Sequence, residues 1–316
     1  MIRAGSQTMR AVGAAIAIAL VVIAGVALPP YYEEVLVDGL INAVFAVSLN
    51  LLLGYTGLPS LGHAAYFASG AYAAGLVSLH VTHSFWIGAL SGTAAGAILG
   101  AIFGVVALRT KGAYFLMITL ALGQIAWAVA YSWRDVTGGD DGLRGIPAPD
   151  IGLSIVHLDG PRLYFVLTLI ALVATLAATR LLVGSPFGRT LRGIKDNSVR
   201  MGALGYNVWL HRYLAFVMAS AGAGFAGVLF VYHKGFVSPD VAHVVTSAQA
   251  MLMVILGGAG TLWGPVAGAM TITVLGNFAS TYTLHWTLIL GLLYIGVVLI
   301  APTGIISVLA RPKGSR

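Results

Sequence analysis

Residues 35–63 read VLVDGLINAVFAVSLNLLLGYTGLPSLGH, an apolar run followed by a glycine-rich interruption. The run Val35–Leu53 approaches the roughly 20 residues with which an α-helix crosses a hydrocarbon core about 30 Å thick. The interruption Gly54–His63 carries no Asp, Glu, Lys or Arg, and apolar residues resume directly after it. This pattern predicts consecutive membrane helices that are joined by an uncharged break.

The composition of the whole chain is that of a protein surrounded by lipid. Of its 316 residues, 59% are hydrophobic and 9% are charged, and the mean hydropathy is +0.93. A soluble domain carries about 25% charged residues, so this chain has too few charges to cover a surface that faces water. We therefore predict an all-α integral membrane protein, a polytopic helical bundle of about 8-10 transmembrane segments with broken or re-entrant helices. The apolar stretches are Ala11–Leu28, Val35–Leu53, Ala64–Leu79, Ile87–Leu108, Ala113–Tyr131, Leu163–Leu182, Tyr213–Val231, Thr246–Leu256, Gly264–Leu275 and Leu284–Ile300.

The lysines and arginines near the ends of these stretches predict an orientation, because cytoplasmic loops are enriched in both. With a cytoplasmic N-terminus, most of the 17 basic residues lie inside and nearly all of the 10 acidic residues lie outside. The net charge of +7 is therefore a topology signal, and nucleic acid is not an expected partner. The inner basic residues are Arg3, Arg10, Arg109, Lys111, Arg180, Arg189, Arg192, Lys195, Arg200, Arg212, Arg311, Lys313 and Arg316, and the outer ones are Arg134, Arg144, Arg162 and Lys234.

This orientation places both termini in the cytoplasm and constrains the number of crossings. Arg3 and Arg10 before the first stretch would also fit a cleaved signal peptide, but its apolar run is long and more spans follow at once. An odd number of crossings must lie between Pro30 and Arg109, and three stretches are present there. The stretches Thr246–Leu256 and Gly264–Leu275 are too short to cross separately. They form either one span broken at its centre or two half-helices that enter and turn.

Several function classes lack the residues that they require. The chain has no cysteine, which excludes disulfides and thiolate metal sites. It has no Gly-x-x-x-x-Gly-Lys-Ser/Thr phosphate loop, so it does not bind ATP by the usual route, and uphill transport would need energy from a partner. No Asp, Glu, Lys or Arg lies in the middle of a predicted span, which argues against a proton-driven transporter. A sodium site of carbonyls and hydroxyls stays open, and so does a membrane scaffold or sensor.

Two glycine-rich breaks, Gly54–His63 and Gly257–Pro265, interrupt apolar runs in the two halves of the chain. Irregular backbone at membrane depth is tolerated only where protein or a water-filled path satisfies its polar groups, and paired breaks indicate a substrate path between repeats. Ordinary turns at the membrane edge are the equally weighted alternative. A separate series, Gly92, Gly96, Gly100 and Gly104, predicts close helix packing. The candidate pathway or gate residues are Asn50, Gly54, Gly57, Ser60, His63, Gln124, Gly257 and Gly260.

Two loops are long enough to meet soluble partners. The outer loop Ser132–Arg162 is rich in turn residues. The inner segment Gly184–Arg212 predicts one helix that begins at the N-cap Ser185, with Pro186 in its first turn, and ends at Gly202 and Gly205. One predicted face carries Leu191, Ile194, Ser198 and Met201, and another carries Arg189, Arg192, Asp196 and Arg200. Such a helix suits a protein interface or, as the alternative, an anionic lipid surface.

Five motifs in order resemble the LivM-type permease subunits of branched-chain amino acid ABC importers, over about residues 40–270. Each motif is modest alone, and their order makes the resemblance specific. One departure is Leu58-Pro59, where the family pattern has a polar residue followed by an apolar one, so the turn is stiffer here. The matching stretches are Ser48–Gly57 with Ser60–Ala65, Thr137–Gly139 with Asp141–Leu143 and Gly145–Pro147, Ser185–Arg189 with Ala203–Asn207, Gly235–Asp240, and Leu256–Pro265.

The resemblance implies that residues 1–316 form a single transmembrane permease domain in the bacterial inner membrane. It implies a second homologous permease, two ATP-binding subunits that hold ATP and Mg, and a periplasmic substrate-binding protein that docks on residues 132–162 and Gly235–Asp240. The chain itself is expected to be no enzyme and to bind no cofactor or metal. Permeases for urea, short amides and other amino acids share the pattern, as alternatives. Residues 184–212 become the coupling-helix segment, with Gly188, Arg189, Arg192, Lys195, Arg200 and Gly205 as the expected ATPase-coupling residues.

Overall fold

The computed structural model describes residues 30–150, 161–282 and 291, and nearly all of its regular structure is helical. The predicted all-α polytopic membrane fold is confirmed. The stretches Ala11–Leu28 and Leu284–Ile300 and both termini lie outside the described residues. The elements are α1 (Pro30–Leu53), α2 (His63–His80), α3 (Phe85–Ala107), α4 (Ala113–Ser132), α5 (Arg134–Thr137), β1 (Leu143–Arg144), α6 (Pro161–Gly184), α7 (Pro186–Asp196), α8 (Ser198–Ala203), α9 (Val208–Lys234), β2 (Phe236–Val237), α10 (Val244–Gly257) and α11 (Gly264–Tyr282).

Five helices of the described ranges are long and apolar enough to cross a membrane, namely α1, α3, α4, α6 and α9. Helix α1 is mostly buried and forms the centre of the bundle, whereas α3 and α4 expose large apolar side chains such as Trp86, Leu90, Ile98 and Ile125. Exposed apolar side chains on a membrane helix are covered by lipid. The bundle therefore has its core around α1, α2 and α9 and a lipid-facing rim on α3 and α4.

The predicted glycine series packs α3 directly against α9. Gly92, Gly96, Gly100 and Gly104 are all buried on one face of α3, and a Cβ at Gly96 would lie only 2.6 Å from the carbonyl oxygen of Ser220. Small residues let two backbones approach each other in lipid. The close packing predicted from the four-residue spacing is confirmed.

The order of these glycine contacts also gives the helix directions. Gly92 meets Val228 near the end of α9, whereas Gly104 meets Phe216 near its beginning, so α3 and α9 are antiparallel. Helix α2 runs parallel to α9, because Gly70 meets Gly224 and, farther along both helices, Gly75 meets Val231. Helix α1 is antiparallel to α9, because Asp38 meets Lys234 at the end of α9 and Ser48 meets Gly222 earlier in it. Three helices thus connect residue 30 with residue 109 in alternating directions, and the assignment of their ends to the two sides of the membrane stays a prediction.

In the second half of the chain, the structure rules out one span broken at its centre, which was the first of the two alternatives that the sequence left open. Helices α10 and α11 lie side by side as an antiparallel pair, since a Cβ at Gly268 would collide with the carbonyl of Met253 and one at Gly257 with the carbonyl of Gly264. Helix α11 has 19 residues, which is about 28 Å of helix, so it is longer than the predicted stretch that ended at Leu275. The short helix α10, with 14 residues, enters and then turns at the second break.

The segment 184–212, which the sequence predicts to be cytoplasmic, also differs from the single predicted helix. Ser185 caps α7 as predicted, because its hydroxyl accepts a hydrogen bond from the Gly188 N–H at 3.3 Å. The helix then stops at Asn197, which has φ −157° and ψ 97° and starts α8 by accepting the Arg200 N–H at 2.9 Å. The prediction of a continuous helix to Met201 is therefore wrong, because Asn197 offers the backbone a competing local hydrogen bond.

The outer loops meet in a small two-stranded ribbon. Strand β1 pairs antiparallel with β2, with Leu143 opposite Val237, and the Ile146 N–H donates to the Gly235 carbonyl at 3.1 Å. Gly142 adopts φ +67° and leaves no room for a side chain beside the Val237 carbonyl, so glycine is required at this turn. The two segments predicted to receive a soluble partner are thus joined into one outer surface.

Candidate coupling site at the glycine-rich breaks

Lys195 of α7 joins the cytoplasmic segment to the first glycine-rich break. Its ammonium Nζ donates a hydrogen bond of 2.7 Å to the carbonyl oxygen of Gly54, where α1 has just ended. A Cβ at Gly57 would lie 3.1 Å from the Lys195 Cγ, and Gly57 has φ +72°. The lysine stem therefore packs over a left-handed glycine while its charge binds a carbonyl at a helix C-terminus, where a cation is favoured.

A second basic residue of α7 holds the same break. The Arg192 guanidinium carbon lies 5.5 Å from the ring centroid of Tyr55, within the range of a cation–π contact. Burial raises the pKa of the Tyr55 phenol above its ordinary value, and the guanidinium partly opposes that rise. The ring therefore stays neutral near pH 7 and keeps its capacity to hold the cation.

The apolar face of α7 anchors these contacts. Leu191 and Ile194 are buried as predicted, each 1% exposed or less. Gly188 lies so close to the end of α6 that a Cβ there would be 2.5 Å from the Val183 Cα. The helix is consequently fixed to the membrane part at several points, and displacement of α7 would move the break beneath it.

Asn50 ties the first break to the second. Its side-chain oxygen Oδ1 accepts the Gly260 N–H at 2.9 Å, and its Nδ2 donates to the Thr261 carbonyl at 2.9 Å. A Cβ at Gly54 would collide with the Gly260 backbone nitrogen. The two breaks are therefore in direct contact, and a buried side chain satisfies the polar backbone groups that the break exposes. The two breaks are therefore not separate turns.

His63 begins α2 inside the bundle and makes a buried polar contact with α1. Its Nε2 lies 2.9 Å from the Ser48 hydroxyl, its ring stacks on Phe45, and its side chain has no exposed surface. The next residue, Ala64, donates its N–H to the Ser247 hydroxyl of α10 at 2.9 Å. The beginning of α2 is thus hydrogen-bonded to both α1 and α10.

The remaining sequence-predicted residues lie at different distances from this junction. Ser60 is completely buried in the first break, and Gly257 packs against Gly264 within the second. Gln124 is half-buried on α4, and no side-chain hydrogen bond of it is found among the described residues. Arg189, Arg200 and Gly205 are exposed on the cytoplasmic segment.

The structure also adds residues that the sequence did not single out for this site. The hydroxyls of Ser48 and Ser247 make hydrogen bonds between the helices that flank the two breaks, and Thr261 contributes its backbone carbonyl. A lone serine or threonine in an apolar run gives no signal in sequence, because such residues most often bond to their own helix. Among the described residues, no group of three or more His, Cys, Asp or Glu side chains could hold a metal ion.

Comparison with known proteins gives one consistent match. The family described as "Branched-chain amino acid transport system / permease component" matches residues 31–302. The high-affinity branched-chain amino acid transport system permease protein LivM of Escherichia coli K12 is 28% identical over 299 residues, which cover 87% of this chain and 69% of that protein. A probable LivM of Methanocaldococcus jannaschii is 26% identical and covers 79% and 81% of the two chains.

A more distant relative matches only part of the chain. The permease protein LivH of Escherichia coli K12 is 29% identical over 150 residues, which are 47% of each chain. No solved structure matches.

Proposed function

The chain belongs to the family of branched-chain amino acid transport system permease components, and from this premise we propose how it couples transport to a partner's ATP hydrolysis. It acts as the membrane permease of an ABC importer that moves branched-chain amino acids into the cytoplasm by alternating access. Two ATP-binding subunits hold ATP and Mg, and this chain holds neither. The expected location is the bacterial inner membrane, with both termini in the cytoplasm.

The observation that carries the coupling proposal is the hydrogen bond from Lys195 to the Gly54 carbonyl. It connects an amphipathic cytoplasmic helix with exposed arginines to a buried break in α1. Through Asn50 the same break is hydrogen-bonded to Gly260 and Thr261. If an ATP-binding subunit displaces α7, the displacement is therefore transmitted through two successive contacts to α1, α2, α10 and α11. These four helices lie within one packed region.

On the opposite face, the ribbon of β1 and β2 offers a docking surface for the substrate-binding protein. The proposal is supported by the joining of residues 132–150 with Gly235–Asp240, the two segments that sequence had selected. A second homologous permease completes the passage. Substrate selection rests chiefly with the binding protein, so the permease needs only weak affinity.

The experiment is reconstitution with and without the partner subunits. Proteoliposomes that hold this chain, its partner permease, both ATP-binding subunits and the binding protein are expected to accumulate leucine, isoleucine and valine only with internal ATP. The matched control is this chain with its partner permease alone, for which we expect no accumulation under any ion gradient. Gradient-driven uptake in the control would identify a secondary transporter instead, and uptake of urea or short amides alone would change the substrate class.

A further inference from the structure

The outer half of the bundle holds a cavity that the coupling contacts do not use. It lies between α1, the end of α9, α10 and α11, and its volume is about 310 Å³. Sites for small molecules occupy about 300–1,000 Å³, so this space suits one small solute. Its lining is Asp38, Ile41, Asn42, Phe230, Lys234, Gln249, Met253, Ile272, Thr273, Gly276, Asn277 and Ser280.

The lining divides into a charged end and an apolar wall. Asp38 and Lys234 form an ion pair, with the Lys234 Nζ 2.9 Å from a carboxylate oxygen, and both side chains stay partly exposed, at 27% and 36%. His233 approaches the same carboxylate at 3.5 Å. The apolar part comes from Ile41 and Met253, among others. The cavity thus combines one anion, one cation and an aliphatic surface, which are the complements of the ammonium, carboxylate and side chain of an apolar amino acid.

The ion pair can exchange partners at little cost. A partly exposed pair stabilises the protein little, so Asp38 and Lys234 lose little when they separate. If a zwitterion enters between them, each charge regains an opposite charge and no net charge is moved into the membrane. Asn42, which donates to the Thr273 hydroxyl at 3.1 Å, and Gln249 supply further polar groups deeper in the cavity.

We infer that this outer cavity is a binding station for a zwitterionic α-amino acid, with Asp38 taking its ammonium group, Lys234 its carboxylate, and the apolar wall its aliphatic side chain. The inference rests on the proposed import function and names where the permease first receives the solute. Affinity at the station is weak, because both charged side chains are partly exposed and such charge contacts contribute little.

The absence of cysteine from the sequence allows a direct test. A single thiol is placed in the cavity by Gln249→Cys, and the full transporter is held in nanodiscs of phosphatidylglycerol, where no zwitterionic lipid competes. The rate of modification by a small thiol reagent is measured with leucine, with leucinamide, which lacks the carboxylate, and with 4-methylpentanoate, which lacks the ammonium. We expect leucine to slow the modification and the two analogues to protect about tenfold less well, because each leaves one charge unpaired.

Two further variants test the ion pair itself. Adding Asp38→Asn or Lys234→Met to the Gln249→Cys chain is expected to weaken protection by leucine about tenfold. The matched control is Ala178→Cys, which opens on another cavity, of about 320 Å³ and without a charged lining residue. The rate at which Ala178→Cys is modified is expected to be the same with and without leucine. When Ala178→Cys is combined with Asp38→Asn or Lys234→Met, an unchanged rate of modification shows that those chains fold.

The results separate this inference from the proposed function. If ATP-dependent leucine uptake is intact but leucine gives Gln249→Cys no protection, or protection survives loss of either charge, the binding station is refuted and the import function stands. If protection follows the expected pattern but uptake needs no ATP, the station stands and the energy source was wrong.

Discussion

At the scale of single residues, two side chains carry most of the link between the cytoplasmic segment and the membrane part. Lys195 reaches the Gly54 carbonyl, and Asn50 uses both its oxygen and its nitrogen on the second break. The Gly260 N–H and the Thr261 carbonyl bind the Asn50 side chain where they would otherwise need water. A nonpolar side chain at position 50 would leave these two backbone groups without hydrogen-bond partners at membrane depth. Lys195, in contrast, lies at the surface, so its loss is tolerated by the fold.

This difference makes Lys195 the more informative residue to change. Lys195→Met keeps the apolar stem over Gly57 and removes the ammonium that binds the Gly54 carbonyl, whereas Lys195→Arg keeps a cation. We expect Lys195→Met to lower leucine uptake per ATP hydrolysed several-fold, since hydrogen bonds to charged groups are worth about 1.5–3 kcal/mol when buried and less at a surface. We expect Lys195→Arg to recover part of this uptake.

The control for this change is Lys111→Met, which removes an exposed cation from the turn between α3 and α4. Its uptake per ATP should match that of the unmodified transporter. Equal coupling in Lys195→Met and Lys111→Met would show that the Gly54 contact transmits nothing.

At the scale of helices, glycine sets how closely α3 and α9 approach. A Cβ at Gly96 would meet the Ser220 carbonyl at 2.6 Å, and one at Gly100 would collide with the Ser220 side chain. Backbone atoms cannot rotate away as a flexible side chain can, so a larger residue must push the helices apart. Helix α2, which packs against α9 and follows the first break, would shift with them.

We therefore expect Gly96→Val to destabilise the protein by about 1–3 kcal/mol, the usual cost of overpacking. The measurement is the midpoint of thermal unfolding in detergent. The matched control is Gly202→Ala in α8, where an added Cβ has nothing within 4 Å, and its midpoint should stay unchanged. A Gly96→Val protein as stable as the control would mean that the α3–α9 approach tolerates more volume than its geometry allows.

The same scale shows what sequence could and could not predict. The glycine face of α3, the cap at Ser185 and the buried Leu191 and Ile194 all follow from spacing within one element. The apolar stretch that predicted α11 ended too early, at Leu275. In the structure the helix continues to Tyr282 and includes Asn277, whose Nδ2 donates to the Thr273 carbonyl one turn back, at 3.3 Å. Local hydrogen bonds of this kind do not change the apolar pattern.

Contacts between distant parts of the chain set the second limit. Each glycine-rich break was visible as a break, but Asn50 and Thr261 are 211 residues apart, and no periodicity in either segment encodes their pairing. The sequence likewise made Asn50 a candidate only because this residue flanks a break. The partner atoms, and with them the physical role of the residue, required the packed structure.

At the scale of the whole molecule, the charges are separated between the two faces. The segment 184–212 exposes Arg189, Arg192 and Arg200, whereas Asp140 and Asp141 lie exposed in the loop that precedes β1. Such a separation predicts the orientation of the chain in the membrane, and the basic surface is where we propose that an ATP-binding subunit docks. Charged surfaces of this kind raise the rate and specificity of association more than its final strength.

Arg200 allows that surface to be tested apart from the coupling contacts, because Arg192 also binds Tyr55. Arg200→Glu reverses one exposed charge on α8. We expect it to reduce the amount of ATP-binding subunit that copurifies with the permease, and to do so more strongly at low salt than at high salt, because the Debye length falls from about 30 Å at 0.01 M to about 3 Å at 1 M. The matched control, Arg134→Glu, reverses an exposed charge on the outer face and should leave copurification unchanged.

If both variants retain the ATP-binding subunit equally, the basic surface orients the chain but does not recruit its partner, and the docking surface must lie on the apolar groove beside Phe187 and Met201.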